Sequence, residues 1–124
     1  MNKQVIGMVA LALAGLLAGC GGGGTDAKIE IGRRIYNNGG ASSVPCATCH
    51  TLDGTTLVGP SFQGIKDTAG TRVAGLSAED YLRESITDPE AYIVEGYSGQ
   101  MYREYAKVLS DEEIDGLITF LLAQ

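Results

Sequence analysis

The apolar positions of this chain fall into one unbroken run and three periodic segments. Val5 to Leu17 contains only apolar or small residues. Further on, Ile31 and Ile35 lie four apart with Tyr36 beside them, the spacing of a buried helical stripe. A helix is therefore predicted from Asp26, as cap, to about Asn38, ended by Asn37-Asn38-Gly39-Gly40, which tolerate left-handed backbone. Gly32 interrupts the stripe at a cost of about 1 kcal/mol relative to Ala. A close approach by another helix explains such a choice.

The second periodic segment places Tyr81, Leu82, Ser85 and Ile86 on one face, with Ser77 as the cap and Pro89 as the stop. The third repeats Ile114, Leu117, Ile118, Leu121 and Leu122 after Ser110-Asp111-Glu112-Glu113, a full capping box. Between them, Thr51 to Leu76 carries glycines at 54, 59, 64, 70 and 75 and shows no period. It reads as a long functional loop. Ala91 to Gly99 reads as a second loop. No strand pattern and no internal repeat appears, so the fold class is all-α, with helices and long loops.

The unbroken run belongs to a different part of the chain's life. Met1-Asn2-Lys3 supplies a positive start, and Leu17-Ala18-Gly19-Cys20 closes an apolar stretch too short for an ordinary spanning helix. Cys after small residues resembles the lipobox of bacterial lipoproteins, so residues 1–19 are expected to be a signal peptide, with Cys20 lipidated. Residues 20–25, with the glycine run Gly21 to Gly24, are expected to be a tether, leaving 26–124 as the domain.

Charge narrows the partners. The full sequence carries −6 at pH 7, and removing 1–19 takes Lys3 with it. An acidic surface repels nucleic acid and anionic headgroups, so neither is expected as a partner. Membrane attachment would then come from acyl chains at Cys20. Acid pairs at Glu79-Asp80 and from Asp111 to Asp115 sit at helix starts, where the dipole favours them, and docking of a basic partner is the alternative use.

The chemistry centres on Cys46-Ala47-Thr48-Cys49-His50. Two thiols three apart followed by His form the attachment pattern of c-type haem: Cys46 and Cys49 would make thioethers and His50 would bind iron. A thioredoxin-like site would want a βαβ frame, and a structural zinc site needs four ligands where the chain beyond Cys20 offers two Cys and one His. The second nitrogen of a metal-binding His usually donates to a fixed acceptor, and the carbonyl of Pro60 is the candidate. Leu52, Leu57, Pro60, Phe62 and Ile65 are the expected apolar contacts of the ring. Met1 and Met8 lie in the expected leader, which leaves Met101 as the one methionine able to serve as the second axial ligand. A soft thioether favours ferrous iron.

Together, Cys46 to His50, Gly59-Pro60, Met101 and the helix from Ser110 resemble a class I mono-haem cytochrome c. The stretch from Tyr81 through Asp88-Pro89, Ile93-Val94-Glu95-Gly96-Tyr97 and Met101 to Ile114 is most similar to two branches. One is the cytochrome c domain of caa3-type oxidase subunit II, the other the mono-haem lipoprotein subunit of alternative complex III. The resemblance implies one covalent haem c, axial ligands His50 and Met101, and Gly32 packed on the last helix near Phe120. It departs at Tyr102, where many relatives carry proline.

The function implied is single-electron transfer in a respiratory or photosynthetic chain, at the extracytoplasmic face of a bacterial membrane. The chain would be a subunit of a quinol-oxidising complex passing electrons towards a terminal oxidase, or alternatively a free lipoprotein carrier. A peroxidase-type enzyme would need a displaceable sixth ligand, and Met101 argues against it. No small-molecule substrate is expected, and the chain without haem is expected to be largely unfolded.

Overall fold

A computed structural model describes residues 23–124. The expected signal peptide and lipidated Cys20 lie outside the described residues, as do Gly21 and Gly22. Five α-helices follow in order: α1 (Gly23–Asn38), α2 (Ile65–Arg72), α3 (Ala78–Thr87), α4 (Tyr105–Val108) and α5 (Asp111–Leu121). Two short 3₁₀ turns, Gly40–Ser42 and Cys46–Thr48, connect α1 to the loop that follows. There is no strand among the described residues, and the fold is all-α. No helix among the described residues is long and apolar enough to cross a membrane.

Helix α1 starts earlier than its apolar stripe predicts. Gly23 to Thr25, assigned to the tether by composition, are helical, and Asp26 stands within the first turn rather than capping it. An acid there complements the exposed amides at the positive end of the helix, which offsets part of the glycine penalty. Ile35 and Tyr36 are buried and Ile31 is half-buried beside them.

The main partner of α1 is α5. They cross at two glycines. A methyl group on Gly32 would collide with the Gly116 carbonyl and lie 2.5 Å from Phe120 Cβ. A methyl group on Gly116 would lie 2.8 Å from Ile31 Cγ2 and 3.0 Å from the Lys28 carbonyl. Backbone and the inner atoms of Phe120 and Ile31 fill the space a methyl would need, so the close packing offsets what Gly32 loses in helix propensity. Gly116 is the reciprocal half of the contact and carried no signal of its own in the sequence.

The two caps read from sequence are in place. Ser77 accepts from the Asp80 amide at 3.1 Å, and Ser110 and Glu113 exchange bonds in a complete capping box. Asp115 pairs with Lys28 of α1 and Arg83 of α3, so one carboxylate links three helices. Of the acids at these helix starts, Asp80 and Glu113 serve in caps and Asp115 in ion pairs.

Two helices were not legible. Residues 65–72, read as loop, form α2, whose only buried positions are Ile65 and Ala69. Two buried residues in eight give no period, and two Thr and a Gly depress propensity further. Gly64 at φ 67° turns the chain into the helix through a conformation that favours glycine. Helix α4 is a single turn, too short for periodicity to register.

Candidate cofactor site

The pentapeptide from Cys46 is shaped by its own backbone. Pro45, extended at φ −66° and ψ 137°, delivers the chain into the 3₁₀ turn Cys46–Thr48. The amides of Cys49 and His50 then both donate to the Cys46 carbonyl, at 3.1 and 2.9 Å. This tight turn puts Cys46, Cys49 and His50 beside one another instead of along an extended strand. Cys46 is buried and Cys49 half-buried, and they form no disulfide with each other. Before a thioether forms, burial pushes the Cys46 thiol up to about 11.

Beyond His50 the loop folds back beneath the imidazole. The Gly59 amide donates to the Cys49 carbonyl at 2.9 Å and the Phe62 amide to the Thr51 carbonyl at 2.7 Å. These bonds bring Gly59-Pro60 under the ring, where His50 Nδ1 lies 2.8 Å from the Pro60 carbonyl. A carbonyl can only accept, so Nδ1 carries the proton and Nε2 keeps its lone pair. Burial lowers the His50 pKa, against a smaller opposing effect of the Pro60 bond, and so favours the neutral ring. Phe62 stacks on the imidazole with centroids 4.4 Å apart and planes 12° from parallel.

One further group holds His50 that the sequence reading did not assign. The Tyr36 hydroxyl, from α1, donates to the His50 carbonyl at 2.8 Å. Its ring meets Phe62 edge-on at 6.3 Å and Phe120 at 5.5 Å. Tyr36 was placed on the buried stripe; its hydroxyl, polar on an apolar face, was the signal that it reaches a partner.

His50, Cys49 and Met101 line a single open cleft. Its walls come from α2 through Ile65 and Arg72, from α3 through Tyr81, Leu82 and Ile86, and from α5 through Leu121. Val58 and Ile93, both largely exposed, also border it. A second hollow, bounded by Cys46, Tyr102 and Tyr105, shares Cys49, His50 and Met101 with the first. Of the apolar contacts expected from sequence, Pro60, Phe62 and Ile65 line the cleft. Leu52 packs into the core, and Leu57 is 45% exposed; neither borders the larger cleft.

The apolar lining of this cleft, interrupted by a few polar groups, suits a flat, largely hydrophobic cofactor. The donor set is consistent with it: two thiols in one turn, an imidazole with its lone pair retained and a thioether. Among the described residues no three His, Cys, Asp or Glu side chains cluster as a metal site of their own.

Residues 29–124 match the family model described as Cytochrome c. The chain belongs to the cytochrome c family. A search of curated proteins gave no match. This cytochrome is an electron-transfer haem protein, and its haem c is attached covalently through Cys46 and Cys49, with His50 completing the attachment motif. The cleft between α2, α3 and α5 is where that ring fits.

Proposed function

We propose that this cytochrome carries single electrons at the extracytoplasmic face of a bacterial membrane, with His50 and Met101 as the axial ligands of its iron. The observation that carries the ligand assignment is that both side chains, from separate segments, border the same cleft as Cys49. Haem supplies a one-electron iron couple; one electron enters from a donor and one leaves to an acceptor, with no bond made in a substrate.

The protein's own residues do the rest. Cys46 and Cys49 hold the cofactor against loss. Pro60 and Tyr36 fix the ring and the backbone of His50. The apolar walls from α2, α3 and α5 exclude water, which keeps the local dielectric low around the site. A thioether at the sixth position raises the reduction potential relative to two nitrogen ligands.

The wider setting follows from the Cys20 lipobox and from the resemblance to the mono-haem subunit of alternative complex III and to caa3-type oxidase domains. The chain is a lipid-anchored subunit of a quinol-oxidising complex, handing electrons towards a terminal oxidase. Purification in mild detergent tests this. A subunit remains stoichiometric with large membrane partners, whereas elution alone, still lipidated, identifies a free lipoprotein carrier.

A further inference from the structure

Met101 lies in a stretch with no helix of its own, between Gly99, whose φ is 69°, and the single turn of α4. It is followed by Tyr102, so the loop lacks the stiffness a proline would give. Two other devices hold it. The Tyr102 ring meets the Tyr105 ring edge-on, with centroids 4.8 Å apart and planes at 74°. Tyr105 is 4% exposed, and its hydroxyl donates to the Val44 carbonyl at 2.8 Å, two residues before Cys46. Arg103 pairs with Glu90 at 2.7 Å, but both side chains are more than half exposed, where such pairs contribute little.

The chain of contacts Tyr102–Tyr105–Val44 therefore ties the segment that carries Met101 to the segment that carries Cys46. Both tyrosines, Val44 and Met101 border the same hollow beside the cysteines. We propose that Tyr102 and Tyr105 are positioning residues for Met101, forming a strut that supplies the rigidity proline would otherwise give the ligand loop. This rests on the reading of Met101 as an iron ligand.

The strut sets how often the thioether leaves the iron, and added imidazole reports that event by capturing the open position. In the ferric holoprotein the rate of capture is followed through loss of the weak far-red band of thioether-ligated haem, with far-UV circular dichroism recorded in parallel. Tyr105→Phe removes only the hydroxyl, and Tyr102→Ala removes the edge-on ring. Each is expected to raise the capture rate roughly tenfold while the helical signal is unchanged, the scale of one lost buried hydrogen bond or ring contact. Tyr102→Phe keeps the ring and is expected to stay within about twofold of the parent protein.

Unaltered capture rates in both Tyr105→Phe and Tyr102→Ala, with the band present, overturn the strut and leave the Met101 assignment standing. A parent protein that lacks the band and is indistinguishable from Met101→Ala removes the ligand assignment, and the strut with it. Equal acceleration in Tyr102→Phe and Tyr102→Ala also counts against the ring contact.

Discussion

Gly59 lies against the His50 imidazole so closely that a methyl group on its Cα would stand 2.7 Å from Nδ1 and overlap Cε1. The ring has little room to retreat, because Phe62 stacks on it and the Pro60 carbonyl binds its Nδ1.

Gly59→Ala is therefore expected to lower the stability of the holoprotein by about 1–3 kcal/mol, the usual cost of overpacking a filled site. It is also expected to weaken the His50–Pro60 bond. Denaturant unfolding followed through the haem absorbance measures the first effect. A midpoint equal to that of the parent protein would mean that the imidazole is free to move.

The glycine crossing of α1 and α5 makes a sharper contrast. Gly32→Ala places a methyl group on the Gly116 carbonyl and is expected to cost about 1–3 kcal/mol, read as a fall in the thermal midpoint. Gly23→Ala in the same helix meets nothing within 4 Å and is expected to be neutral or slightly stabilising. Similar behaviour of the two variants would contradict the close crossing.

Without haem, the cleft leaves much of its apolar lining wet, in a domain with no Trp and 6% aromatic residues. The double variant Cys46→Ala/Cys49→Ala, which cannot hold the cofactor covalently, is expected to be largely unfolded by circular dichroism. A cooperative, native-like melt would show that the helices suffice by themselves.

Met101→Ala is expected to remain folded, lose the far-red ferric band and bind added imidazole without the delay imposed by thioether release. Its reduction potential should fall, because the soft ligand that favours ferrous iron is gone. Potentiometric titration beside the parent protein measures the shift, and an unchanged potential with an unchanged band would remove Met101 from the iron.

What could be read from the sequence was whatever had a local chemical reason. Ser77 and Ser110 were legible as caps because a hydroxyl three residues before a free amide has one efficient use. Gly32 was legible because a glycine in an apolar helical stripe needs a neighbour at close range. Helix α2 was not, since it is held by packing on α3 with only Ile65 and Ala69 buried rather than by a pattern of its own. The contacts between Tyr36 and His50, and between Tyr105 and Val44, join positions far apart in sequence, and no local pattern encodes them. The start of α1 was misjudged because glycines usually mark the outside of a helix, and here they form its exposed first turn.

The pairing of the first and last described helices also constrains how the domain folds. The α1–α5 contact forms only when the whole chain between them, residues 39–110, closes on itself, and the entropy of that closure opposes it. Docking of α1 on α5 therefore closes the described chain end to end, and the glycine pair at its centre sets how tightly that closure packs.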